Sequence, residues 1–151
     1  MQVQIFAAHW GNNELAPQVF IDRVKQAGFD GIEMSLPLDP AARDDWTGRI
    51  AAAGLGLIAQ QWETVFHPSY EPHRAALAEL LHNACAAKPL HVNSHTGKDY
   101  FTPAQNRALL ELAEPSAANT ACRSCTKSTA AVSAATRCCC CPTWSRCRNC
   151  S

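Results

Sequence analysis

Much of what this 151-residue chain does not contain narrows its class at once. No apolar run approaches the roughly 20 residues that a membrane-spanning helix needs. The opening MQVQIFAAHW has neither the basic stretch nor the long apolar segment of a secretory signal. No G-x-G-x-x-G follows the first apolar run, so a dinucleotide site is not indicated. Only Cys85 precedes Cys122, which leaves the body without a disulfide framework and points to a reducing, cytoplasmic compartment. Basic residues are scarce through Glu114, where eight Lys+Arg stand against 13 Asp+Glu, a net −5. That balance argues against a nucleic-acid surface built on phosphate neutralisation. From Pro115 onward the scarcity reverses: five Lys+Arg and no acidic residue.

What is present up to Glu114 alternates between two periods. VQIFAA (Val3 to Ala8) reads as a short buried strand. Leu15, Val19, Phe20, Val24 and Ala27 then fall on one helical face, and Gly28 is placed to end that helix in the left-handed conformation. GIEM (Gly31 to Met34) predicts a second strand. Asp39-Pro40 supplies an N-cap and an N1 proline for a helix to about Gly54. LGLIAQQW (Leu55 to Trp62) predicts a third strand, and Leu77, Leu80, Leu81 and Ala84 have the spacing of a third helix. PLHVNSH (Pro89 to His95) predicts a fourth strand, after which Thr102-Pro103-Ala104-Gln105 forms a capping box opening a fourth helix. AGFDGIEM and AGLGLIAQ echo one another 26 residues apart. Four such units with short connections predict an α/β fold with a parallel sheet and right-handed crossovers. The pattern alone leaves a doubly wound arrangement open.

In parallel α/β folds, chemistry collects at the carboxyl ends of the strands. The residues there are His9 and Trp10 after strand one, Glu33 in strand two, Trp62 and Glu63 after strand three, and His95 after strand four, with Lys98 and Asp99 beyond. Carboxylates and imidazoles on one rim suit proton transfer beside a carbonyl or the binding of a divalent metal, and aromatic rings suit the apolar faces of a sugar. Each has a plainer reading: His9 as a loop hydrogen-bonding residue, Glu33 as an acceptor for backbone amides, Glu63 as a solvated side chain. Glu33 within a strand is costly unless paired. His67 is expected in a loop, His73 and His82 on the surface of the third helix, and Cys85 as a small buried packing residue.

AGFDGIEM, LGLIAQQWET and VNSHTGKDYF together resemble the sugar phosphate isomerase/epimerase family, the xylose isomerase-like TIM barrels. The resemblance spans roughly residues 1 to 114 and implies the amino-terminal half, about four βα units, of a (β/α)8 barrel. It implies an enzyme that isomerises or epimerises a sugar or sugar phosphate, often with a divalent metal. Glu33, Glu63 and His95 would serve catalysis, with His9, Trp10, Trp62 and Lys98 binding substrate. This chain departs from the pattern at about Pro115, where the fifth strand and its metal-binding glutamate are due. No tightly bound metal, no nucleic acid and no membrane are expected, whereas the open barrel edges invite self-association.

The remaining residues, 115 to 151, hold eight of the nine cysteines, including Cys138 to Cys141 in a row. Cys122-x-x-Cys125 and Cys147-x-x-Cys150 outline a four-cysteine zinc pattern, which would make the tail a zinc-binding interaction segment on a small α/β domain. The competing thiols between the pairs, and the lack of alternating apolar residues, weigh against it. A displaced reading frame accounts for the cysteines more simply. When the last base of each codon joins the first two of the next, adjacent cysteine codons become leucine codons. From Cys122 that frame permits PVVHEIHRGRFSGHALLLLPYLE, an apolar strand, a glutamate and a leucine-rich helix. The expectation is therefore a truncated, inactive barrel ending in an out-of-frame, disordered tail too poor in apolar surface to order itself.

Overall fold

The computed structural model describes residues 3–118 and 123–127. Among them strands and helices alternate as the two sequence periods require: β1 (Phe6–Ala8), α1 (Pro17–Gln26), β2 (Gly31–Ser35), α2 (Pro40–Ala52), β3 (Gly56–Gln61), a 3-10 turn (Glu63–Phe66), α3 (Tyr70–Ala86), β4 (His91–His95), α4 (Pro103–Ala118) and β5 (Arg123–Lys127). The strands form one parallel sheet in the order β1-β2-β3-β4-β5. A doubly wound sheet would reverse its strand order partway. This one does not, so successive right-handed crossovers carry the helices to the same side.

Burial along the strands agrees. Ile32 and Met34 of β2, Leu57 and Ala59 of β3 and Val92 of β4 share one parity and join one core with Phe20, Ile21 and Val24 of α1, Ile50 of α2, Leu77, Leu81 and Ala84 of α3, and Leu109 of α4. The alternate positions, among them Glu33, Ser35, Ile58, Gln60, His91, Asn93 and His95, point to the other face and are only half buried.

Local signals place the elements. Asp39 caps α2 by accepting the Ala42 N–H at 2.8 Å. In the capping box, Gln105 Oε1 accepts the Thr102 N–H at 2.9 Å while Thr102 Oγ1 accepts the Gln105 N–H at 3.3 Å. The 26-residue echo has a structural meaning. Gly28 and Gly54 both sit at φ near +80° just past a helix (79° and 76°), where a side chain would strain the chain. Gly31 and Gly56 are then neighbours in register, and the Phe6 ring lies across both. A Cβ on Gly31 would overlap that ring, and one on Gly56 would stand 2.8 Å from Leu90 Cδ1. Phe6 thus floors the helix-free face at the amino ends of the strands.

Three expectations need correcting. Val19 is exposed and Ile21 takes its place in the core, because α1 starts at Pro17 and its buried stripe runs through Phe20, Ile21 and Val24. His73 is not a surface residue: it is fully buried, turned inward from α3 beneath the loops that follow β3 and β4. The sheet does not stop at four strands, since Arg123–Lys127 pairs in parallel with His91–His95. RSCTK is polar for a strand in a parallel sheet, but the open edge of β4 offers main-chain donors and acceptors that any extended segment can meet. α4 likewise continues through residue 115. Cys122, Cys138 to Cys141, Cys147 and Cys150, with the zinc pattern they outline and the character of the tail, lie outside the described residues. Among the described residues no helix is long and apolar enough to cross a membrane.

Candidate functional site

The carboxyl ends of β1, β2 and β3 surround a cleft of about 210 Å³. Four of the seven residues singled out from the sequence line it: His9, Trp10, Trp62 and Glu63. β1 delivers His9, whose N–H bonds the Glu33 carbonyl at 2.9 Å, extending the β1–β2 ladder by one residue. Its ring stands edge-on to Phe20 at 4.9 Å and Trp46 at 5.0 Å. Burial there lowers the His9 pKa, only partly offset by the Glu14 carboxylate. Its Nε2 is buried without a hydrogen-bond partner. Glu63 opens the 3-10 turn, and its Oε2 accepts the Trp62 N–H at 2.9 Å, fixing the carboxylate at the cleft wall. The Trp62 ring meets Phe66 edge-on at 5.5 Å, while Trp10 projects from its loop, 79% exposed.

The other three lie apart from the cleft lining. Glu33 is on the helix-free face one pleat below Ser35, and its Oε1 accepts from Asn93 Nδ2 at 2.6 Å. His95 ends β4 two residues beyond Asn93, on the same face. Lys98 sits in the following loop, whose backbone is clamped by Asn106: the Lys98 N–H donates to Asn106 Oδ1 at 3.1 Å, and Asn106 Nδ2 donates to the Lys98 carbonyl at 2.8 Å.

Sequence reasoning missed several participants. Ser35 and Gln60, in register across β2 and β3, line the cleft, as do Asn13, Met34, Pro37 and Trp46. Asn93 anchors Glu33. Counting by two from Glu33 to Ser35, and back by two from His95 to Asn93, would have found two of these, since alternate strand residues share a face. Trp46 gave no signal beyond its place in a helix.

Behind the rim, on the helix side, a buried polar network ties the loops together. Ser94 Oγ donates to Gln61 Oε1 at 2.8 Å, Gln61 Nε2 to Thr64 Oγ1 at 3.0 Å, Thr64 Oγ1 to the His95 carbonyl at 3.1 Å, and Thr96 Oγ1 to Ser94 Oγ at 3.1 Å. His73 reaches the Thr64 carbonyl through Nδ1 at 3.2 Å and the Thr96 carbonyl through Nε2 at 2.8 Å. A neutral imidazole carries one N–H and so donates to one of these two carbonyls, and the network joins the loop carrying Glu63 to the loop leading to Lys98.

Fold and site together define a parallel α/β protein, wound in one direction, with a tryptophan-rich cleft of mixed polarity at the carboxyl ends of its first three strands. Compared with known proteins, the chain matches no protein-family model, no curated protein and no solved structure.

Proposed function

We propose that the chain is the amino-terminal portion of a sugar phosphate isomerase/epimerase-like enzyme with a xylose isomerase-type (β/α)8 barrel, whose own coding leaves off near residue 115. The observation that carries this reading is the Glu33–Asn93 hydrogen bond across β3. In a flat sheet β2 and β4 stand two strand spacings apart, about 9.6 Å. Extended glutamate and asparagine side chains only just span that gap, and a sheet curled toward the face they share brings them together readily. Curling toward the helix-free face, with strands in sequential order, is the geometry of a barrel wall. The displaced reading frame adds support: its VVHE falls on the junctions within Arg123–Lys127, the span of β5. That frame would supply the apolar strand that RSCTK is not.

The chemistry follows from the rim. An aldose and a ketose differ by the position of one carbonyl, so a base that moves the proton of the adjacent hydroxyl-bearing carbon to the carbonyl carbon, while the hydroxyl proton passes to the carbonyl oxygen, interconverts them without an oxidant. Glu63, held at the cleft wall through Trp62, is the residue for that transfer, with His9 beside it. Glu33, paired to Asn93, and His95 lie outside the cleft on the curled face, where a completed barrel would bring them to the substrate's hydroxyls. Trp10 and Trp62 pack the sugar's apolar faces. The resemblance also implies a divalent metal. The residues at hand do not fit one: among the described residues no three His, Cys, Asp or Glu side chains converge, and Glu33 is met by a neutral amide.

With five strands described where a closed barrel uses eight, the present chain is proposed to have little or no turnover. The test compares it with a protein whose reading frame is restored near codon 115 by a single-base change. The restored protein is expected to interconvert aldoses and ketoses, Glu63→Gln to abolish the conversion, and the present chain to show none. A restored protein that folds cooperatively yet converts no sugar in a broad panel would refute the assignment.

A further inference from the structure

The cleft also bears on the charge of what enters it. Three of the chain's four tryptophans, Trp10, Trp46 and Trp62, are among its lining residues. Indole faces favour the C–H-rich face of a sugar ring. Among the described residues no lysine or arginine lines the cleft, and the titratable side chains that do are Glu63 and His9. Burial against Phe20 and Trp46 pushes the His9 imidazole toward its neutral form, so it offers no counter-charge. Two of the lining side chains, His9 and Ser35, hold buried polar atoms, Nε2 and Oγ, with no protein partner. A neutral hydroxyl can enter among these polar side chains without needing a counter-charge. A phosphate or carboxylate would instead meet a carboxylate with nothing to neutralise it. Like charges a few ångströms apart at an effective dielectric of ~20 weaken binding by more than tenfold.

We infer that the cleft selects an uncharged polyhydroxylated ligand, an unphosphorylated sugar or sugar alcohol, against phosphate esters and sugar acids. This rests on the sugar reading above and narrows it. Glu63 acts as the selectivity element, and the tryptophans provide the platform.

The experiment uses the present chain, titrated with fructose and separately with fructose 6-phosphate while tryptophan fluorescence and heat are recorded. The neutral sugar is expected to bind with a Kd of about 1–10 mM, and the ester roughly tenfold or more weakly. Trp62→Ala should abolish binding of the neutral sugar. Glu63→Gln should bring the ester's affinity to within about threefold of the neutral sugar's. Circular dichroism and urea unfolding of both variants establish that they fold. An ester that binds as tightly as the neutral sugar, or a neutral sugar that does not bind, overturns the inference. The isomerase reading fails separately: a restored protein without turnover removes the reaction but leaves the selectivity measured on this chain intact.

Discussion

Replacing His73 tests whether the polar network behind the rim holds the site loops. The ring is fully buried and lies between two carbonyls, Thr64 O at 3.2 Å and Thr96 O at 2.8 Å. Carbonyls only accept, so the imidazole must donate, and the shorter contact identifies Nε2–H to Thr96 as the stronger bond. Thr64 O keeps a second donor, the His67 N–H at 3.1 Å. Thr96 O has no other protein donor among the described residues. His73→Ala therefore removes about 1 kcal/mol of net hydrogen bonding and leaves a buried carbonyl costing about 1–3 kcal/mol. It also opens a ring-sized cavity against Phe101, whose ring is 5.2 Å away, and the sum is about 3–5 kcal/mol. His73→Phe fills the space without donating, so it should lose about 1–3 kcal/mol, between alanine and the parent. Urea unfolding followed by circular dichroism gives both values, provided the slope against denaturant is unchanged. A cost below about 1 kcal/mol for alanine, or a phenylalanine variant as stable as the parent, would refute the role of the His73 hydrogen bonds.

Three further expectations follow from the sheet and the rim. Gly31→Ala should destabilise by about 1–3 kcal/mol in the same assay, because the new methyl meets the Phe6 ring and the Gly56 carbonyl. Adding Phe6→Ala should relieve only the ring's part of that overlap. Glu33→Ala leaves Asn93, whose Oδ1 already lacks a partner, with an unpaired amide nitrogen as well, and should cost about 1–3 kcal/mol, whereas Glu33→Gln keeps an acceptor and should cost less. His9 has a folded pKa below its ordinary 6.5, so the unfolded chain binds more protons as pH falls. Its contribution is fully present above pH 6.5 and is lost as pH drops through the lowered folded value. His9→Gln should flatten the stability profile across that window, and a profile identical to the parent's would contradict the burial argument.

The alternation of strands and helices was legible because each element announces itself locally. Pro40 after Asp39, the Thr102–Gln105 box and Gly28 are conformational signals that tertiary packing had no reason to override. The direction of winding was not legible, since the same βα alternation serves sheets with helices on one side or on both, and only the strand order separates them. His73 was misread because a histidine among Glu71, Arg74 and Glu79 looks solvated. The carbonyls that draw it inward belong to loops 9 and 23 residues away and carry no side-chain signature. β5 was missed for a related reason, since backbone pairing to an open edge asks nothing of the side chains. Of the site, residue types at strand ends identified four that line the cleft. They did not separate Glu33 and His95 from it, because which pleat a strand-end residue occupies depends on register.

The proposed barrel continues in code that is out of phase beyond residue 114. The coding DNA, read in its forward frames past that codon, tests this directly. The account predicts an open neighbouring frame that places an apolar strand with a glutamate over the codons of β5 and then resumes strand–helix alternation. A neighbouring frame closed by stop codons within that stretch, or open but without that alternation, would contradict it and return the eight terminal cysteines to consideration as metal ligands.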